Sequence, residues 1–341
     1  MPSMIHIPCK QSRARPMRPA RNERPATFAK HPASRLGRIL LIMSLLVIAG
    51  CGNDDAYETV DFSDTVAQPI SEDKASDGDD VLNVAVGAMI SPSQTLTTYQ
   101  ALVEYIGGKI GRETRIIQRK TYGEVNALLA NGEVDIAFIC TGPYIHGKSD
   151  IGFEALATPI VRGEPYYRAY LIVHQNSPFE SLEDLEGAVF AFTDPESNTG
   201  ALVPTAWLAG MDETPDTFFK KVHFTYSHDN AILAVATSLM DGASVDGHIW
   251  EYYNEKDPVH TSKTRVIKKS SPFGSPPLVA SEFVDEDLQA RIREVVIHMH
   301  ESEKGKQILD NLFIDRFDAS RDEWYEEAID LKHILGSRGG Q

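Results

Sequence analysis

Between residues 81 and 312 the chain alternates short apolar runs with longer stretches in which apolar residues recur every three or four positions. The short runs predict strands at 81–86, 115–118, 134–139, 169–174, 188–192 and 221–224, and the periodic stretches predict helices at 100–110, 122–131, 201–209, 230–239, 285–301 and 304–312. Strands that alternate with helices imply parallel sheets covered by helices. About 260 residues of such pattern is near the size at which one core stops growing and a chain divides into two. In such architectures ligands bind beyond the carboxyl ends of the strands and in the cleft between lobes.

The pattern is different before residue 81. Residues 39–48 form a ten-residue apolar run inside a first fifty residues that carry nine Lys or Arg and one acid, Glu23. A basic region, a short apolar region and small residues before a cleavage point make a secretory signal. Ten apolar residues fall well short of the ~20 that a spanning helix needs. Because Ala49-Gly50 is followed by Cys51, residues 1–50 resemble a lipoprotein signal peptide and Cys51 is the expected lipidation site. The basic region is long enough for Met17 to be the true start. Residues 51–80, rich in Asp, Glu, Ser and Gly, read as an acidic flexible tether, since such a composition buries too little surface to offset the entropy of ordering.

Charge and cysteine content narrow the possible partners. The chain carries a formal net charge of −16, and loss of the basic leader takes it to about −24, which argues against nucleic acid and against a basic face on anionic lipid. An anion bound by this chain must be held by local donors. With Cys9 removed and Cys51 acylated, Cys140 is the sole thiol and no internal disulfide can form.

One segment offers such donors. The apolar run at 188–192 is followed by Asp194-Pro-Glu-Ser-Asn-Thr-Gly200 and then by a helical pattern, so Ser197, Asn198 and Thr199 fall where a strand ends and a helix begins. The first N–H groups of a helix lack intrahelical partners and carry the positive end of its dipole, and these side chains add donors to them. Read alone, Ser197 and Thr199 are more commonly plain N-caps, the usual role of such residues at helix starts. His228 stands at a second predicted helix start, where another dipole would converge on the same anion.

The order Ser91-Pro92, Tyr122-Gly-Glu, Gly132 to Phe138, Cys140-Thr-Gly-Pro-Tyr144, Tyr166 to Val173, Leu182 to Gly187, Asp194 to Gly200 and Ser227-His-Asp-Asn230 resembles the periplasmic phosphonate, phosphite and phosphate binding proteins that feed ABC importers. The resemblance implies an α/β type II periplasmic binding fold with two lobes, a hinge and an interlobe cleft: lobe 1 at about 81–172 plus 266–341, lobe 2 at about 173–265. It implies a monomer at the cell envelope, held to a membrane by its lipid and partnered by an ABC permease. It makes Ser197, Asn198 and Thr199 the oxyanion cradle, His228 an anion contact, and Tyr122 and Tyr167 cleft tyrosines. No cofactor and no metal is implied.

Two departures from the family pattern matter. Aminoalkyl-phosphonate binders carry two acids for the ligand's ammonium. Here the corresponding stretches are Val245-Asp-Gly-His-Ile-Trp250, with His248 near the Glu position, and Phe273 to Pro277, with no acid, so a ligand without an amine is expected. Asp246 would then accept a hydrogen bond from a protonated oxyanion. Cys140, followed by Thr141, stands where relatives carry Gly or Ser, and resembles a cysteine-bearing, arsenite-sensing branch that partners a membrane sensor kinase. As a small buried hydrophobe it has a second reading. Catalysis has little support. Ser197 and His228 could form a nucleophile and base in a phosphoester hydrolase, but no nucleophile-elbow, P-loop or zinc motif is present.

Overall fold

A computed structural model describes residues 81–338 except Phe153. The leader, Cys51 and the tether lie outside the described residues. Two sheets organise the body. The first has strand order β13-β4-β12-β3-β1-β2, built from β1 (Val81–Val86), β2 (Glu113–Gln118), β3 (Ile136–Phe138), β4 (Ala155–Ile160), β12 (Leu278–Ala280) and β13 (Arg316–Asp318). The second has order β10-β6-β9-β7-β8, from β6 (Ala169–His174), β7 (Val189–Phe192), β8 (Lys221–Phe224), β9 (Gly242–Asp246) and β10 (Thr264–Lys269).

Each sheet is mixed rather than wholly parallel. β2-β1-β3 and β8-β7-β9 pair in parallel, as the strand-helix alternation predicts. β12 pairs antiparallel with β3 and β4, β13 with β4, and β6 with β9 and β10. β6 and β12 are each reached by chain that crosses from the other lobe, so no crossover helix dictates their direction.

The crossings form a ribbon in which β5 (Tyr166–Tyr167) pairs antiparallel with β11 (Phe273–Gly274). Ser270 fastens it: its hydroxyl accepts the Ala169 N–H at 2.9 Å, its own N–H reaches the Ala169 carbonyl at 3.0 Å, and Arg168 Nη1 donates to its carbonyl at 2.6 Å. Because β6 and β10 both belong to the second sheet, the lobes exchange near residues 168 and 270, rather than at 172/173 and 265/266.

The parallel strands lead into helices whose starts gather along one edge. α1 (Pro92–Ile110) begins eight residues before its periodicity is visible, Pro92 being suited to a first turn where no N–H partner is needed. α2 (Tyr122–Ala130) carries a capping box between Thr121 and Glu124. α3 (Thr141–Asp150), α4 (Val203–Ala209), the short α5 (Pro215–Phe218), α6 (His228–Ala236) and α7 (Gly247–Lys256) follow. α8 (Glu286–His298), α9 (Glu303–Asn311) and α10 (Glu326–Arg338) complete the chain. Apolar clusters fill both faces of each sheet, around Leu82, Ile106 and Ile292 and around Leu129 and Tyr325 in the first lobe, and around Phe190 and Leu208 and around Ile172 and Val235 in the second. Among the described residues no helix is long and apolar enough to cross a membrane.

Candidate functional site

Beyond β7 the chain passes Thr193 and Asp194 and enters a wide π-helical turn, Asn198–Leu202, before α4. Ser197 caps this turn, its hydroxyl oxygen accepting the Gly200 N–H at 3.0 Å. The oxygen is thereby fixed while the hydroxyl proton stays available to donate, so capping and anion binding coexist in one residue. Thr199 is fully buried, and its hydroxyl has no partner among the described residues. Its carbonyl accepts from Ser244 Oγ at 2.6 Å, which pins the turn to β9.

Asn198 departs from the donor role expected of it. Its amide nitrogen donates to Tyr167 Oη at 3.1 Å, and its buried Oδ1 is the atom without a partner. Its free group is therefore an acceptor, suited to a ligand oxygen that carries a proton. Tyr167, with its oxygen so engaged, has its phenolic proton for another acceptor, and Cys140 Sγ lies 3.9 Å from its Oη.

His228 is the first residue of α6, behind the Ser227 cap. Its Nδ1 accepts the backbone N–H of Asp246 at 3.0 Å. An amide N–H can only donate, so the neutral ring carries its proton on Nε2. Burial pushes the imidazole down to about 3, which keeps it neutral, and Nε2 is buried with no partner among the described residues. The helix start contributes less than expected, because the His228 N–H is taken by the Met89 carbonyl of the first lobe at 3.0 Å.

From the first lobe, Tyr122 brings a buried hydroxyl that also lacks a partner. Burial drives its pKa well above the ordinary value, reinforced by the neighbouring acidic groups Asp194 and Asp246, so it stays a donor. Its backbone N–H reaches across to Asp194 Oδ2 at 3.1 Å, while Asp194 Oδ1 accepts from Glu196 N at 2.8 Å. Asp229 makes a second bridge, accepting the Ser91 N–H at 2.9 Å. These two carboxylates tie the lobes together over the site, and neither was singled out from sequence, although each adjoins or lies within a motif that was.

Cys140 is the N-terminal flanking residue of α3 and is fully buried, with Sγ 3.9 Å from Tyr167 Oη. Burial raises its pKa, opposed in part by the N–H groups of Gly142 and Asn198. Thr141 stands beside it, but its hydroxyl donates to the Gly274 carbonyl at 2.7 Å, so its proton serves the hinge and not a ligand. Gly142 lets the lobes meet, since a Cβ there would overlap the Glu196 carbonyl. Asp246 caps α7, its Oδ1 accepting from His248 N at 2.7 Å and Ile249 N at 3.3 Å. Burial lifts its carboxyl to about 7 against those two hydrogen bonds.

Tyr122, Thr199, His228 and Asn198 thus present four of the buried polar atoms that lack partners; Asn198 and Cys140 both meet Tyr167 Oη, Tyr122 packs with Cys140, Thr199 follows Asn198 in the turn, and His228 is held by Asp246. Most buried polar atoms in folded proteins are paired, so such a cluster marks a place built for a polar guest. Among the described residues no Lys or Arg is buried and no group of His, Cys, Asp or Glu has metal-binding geometry. An anion here would be held by neutral donors.

The sequence profile described as "ABC transporter, phosphonate, periplasmic substrate-binding protein" matches residues 84–325. The chain belongs to this family. It is 22% identical over 258 residues to the phosphonates-binding periplasmic protein of Escherichia coli K12, covering 74% of this chain and 76% of that protein. It is 24% identical over 193 residues to the phosphate-import protein PhnD of Mycolicibacterium smegmatis, covering 52% of this chain and 59% of that one. Among solved structures, the binding component of a phosphonate ABC transporter from Pseudomonas aeruginosa superposes with a TM-score of 0.70 at 23% identity, over 74% of this chain and 85% of that one. PhnD1 of Prochlorococcus marinus, in complex with methylphosphonate, gives 0.68 at 17% identity over 75% and 98%. The fold is that of a periplasmic binding protein, in agreement with the sequence reading.

Proposed function

We propose that this member of the phosphonate-binding family is a lipid-anchored, monomeric receptor that captures a phosphorus oxyanion, phosphate, phosphite or a phosphonate, and delivers it to an ABC permease. The observation that carries the reading is the cluster of unpartnered buried atoms on Tyr122, Thr199, His228 and Asn198. Three of them are donors; with the free proton of Ser197 they supply four hydrogen bonds, and bonds to a charged group contribute about 1.5–3 kcal/mol each. The remaining acceptor suits a ligand hydroxyl.

The hydrolase reading is disfavoured by His228. Its basic nitrogen is occupied by the Asp246 N–H and its other nitrogen carries the proton, so the ring has no lone pair with which to activate Ser197. The arsenite-sensor reading rests on Cys140. That side chain is the single free thiol among the described residues, and its raised pKa disfavours the thiolate that metal-like centres prefer.

Calorimetry and thermal denaturation with phosphate, phosphite and methylphosphonate test the proposal. Ligand at 100 times its dissociation constant should stabilise the fold by about 2.7 kcal/mol. Absence of heat and of any melting shift across this set would overturn it. Incorporation of labelled fatty acid, lost in Cys51→Ser, tests the anchor.

A further inference from the structure

Two contacts between the lobes stand apart from the donors and fall on the same helix. Arg162 of the first lobe forms ion pairs with Glu251 and Glu255 of α7 in the second, the latter at 2.7 Å. Phe313, also of the first lobe, meets the Tyr252 ring edge-on with centroids 5.4 Å apart and lies under Lys256 Nζ at 5.0 Å. Residues four apart share a helix face, so α7 offers the guanidinium one stripe, Glu251 with Glu255, and the ring the adjoining stripe, Tyr252 with Lys256.

Both first-lobe residues stand where glycine is the ordinary choice. Val161 and Glu164 exchange N–H and carbonyl groups at 3.0 and 3.2 Å, closing a two-residue turn whose central residues, Arg162 and Gly163, have φ of 54° and 81°. A turn left-handed at both centres favours Asn or Gly in the place that Arg162 takes. At the end of α9 the Ile314 N–H reaches the Leu309 carbonyl at 3.0 Å and the Phe313 N–H reaches the Asp310 carbonyl at 3.3 Å. The left-handed residue of such a helix ending is usually Gly; here it is Phe313, with φ 57°. Left-handed backbone is unfavourable for a bulky residue and free for glycine. The two side chains that displace glycine both reach α7. Their supports are also joined, because the Gly163 N–H donates to Asp315 Oδ2 at 2.7 Å and the Asp315 N–H donates to the Ile160 carbonyl at 2.8 Å.

α7 leads back to the anion site. Its cap is Asp246, whose backbone N–H holds His228 Nδ1 at 3.0 Å, and Glu251 also receives the Tyr170 hydroxyl of β6. A hold on α7 is therefore a hold on the element that orients His228. We infer that Arg162 and Phe313 form a clasp that keeps the lobes closed over the ligand, acting as positioning residues through α7 and setting how long the ligand stays. That the ligand is an oxyanion rests on the reading of the donors given above; the clasp does not.

Stopped-flow fluorescence of the full-length protein with phosphate and with methylphosphonate measures association and release. Arg162→Gly and Phe313→Gly suit the left-handed backbone, so circular dichroism should be unchanged. Arg162 is 60% exposed, so its pairs are of the modest, salt-sensitive kind. Each substitution should quicken release about two- to fivefold, with association within about twofold of the wild type. Added salt should speed release from the wild type and do so far less in Arg162→Gly, because exposed ion pairs are screened. Arg162→Glu, which sets three carboxylates together, should quicken release about tenfold, and adding Glu255→Arg should bring it back to within about threefold of the wild type. Without ligand, the double glycine variant should be more expanded than the wild type in small-angle scattering. Unchanged release from the double glycine variant, or a charge reversal that the second reversal does not rescue, would overturn the clasp while the oxyanion reading stands. If neither probe bound, the oxyanion reading would fall, and coinciding scattering profiles of wild type and double variant would then overturn the clasp as well.

Discussion

Replacing Thr199 by Val should separate binding from folding, because the two effects have opposite signs. Valine keeps the β-branched shape that the buried turn accommodates, and the Thr199 carbonyl that holds Ser244 is unaffected. What disappears is a hydroxyl that is fully buried and without a partner. In the ligand-free protein an unsatisfied buried polar group costs about 1–3 kcal/mol, so its removal should not weaken the fold. A gain near the low end, about 1 kcal/mol, corresponds to a rise of about 2–4 °C in melting temperature for a body of this size. With ligand, the variant loses a hydrogen bond to a charge, about 1.5–3 kcal/mol, which is roughly a 10- to 150-fold loss of affinity. Thermal denaturation with and without methylphosphonate, and calorimetry on the same samples, measures both. Unchanged affinity together with a melting temperature several degrees lower would refute the reasoning, since it would mean the hydroxyl serves the turn.

Asp246→Asn addresses pH. The asparagine still caps α7. In the wild type the carboxyl, raised to about 7, contributes stability that is complete below its unfolded value of 3.8 and is lost as pH rises through 7. An anion bound nearby raises that pKa further, so wild-type affinity should fall by up to tenfold per pH unit above about 7, and the variant, which retains only the ligand's own titration, should show a shallower fall; parallel profiles would sink the idea. His228 acts in the opposite direction: its neutral, buried ring contributes stability that is complete above 6.5 and lost as pH falls toward 3, and acid melting curves of the ligand-free protein should show that decline. Gly142→Ala places a methyl group against the Glu196 carbonyl and should reduce affinity more than tenfold with circular dichroism unchanged, whereas full affinity would show that the lobes need not meet there. Cys140→Ser should leave phosphonate affinity within a few-fold, and intact-mass measurement after exposure to arsenite should show no Cys140-dependent adduct; a stoichiometric adduct would favour the sensor reading.

The elements that carry the donors were legible because their signals are local. The apolar run ending at Phe192 followed by Asp-Pro-Glu-Ser, and Ser227 immediately before His228, announce a strand end and helix starts within a few residues. α7 and β10 were not visible, since their sequences, GHIWEYYNEK and TRVIKK, are polar and acquire their structure by packing on β9 and β6. The early start of α1 was hidden for the same reason: its first turns, Pro-Ser-Gln-Thr, carry no apolar period.

The sequence alone determined the fold class and the strand-to-helix placement of Ser197, Asn198 and Thr199, and it placed His228 at a helix start. Tertiary structure decided what each atom does. Which nitrogen of His228 carries the proton depends on an amide 18 residues away, and the Asp194 bridge to Tyr122 spans 72 residues. The clasp on α7 joins residues of both lobes. Periodicity and capping act over one or two turns of chain and so are written in neighbouring residues, whereas hydrogen-bond roles, burial and contacts between lobes exist only after distant segments have been brought together.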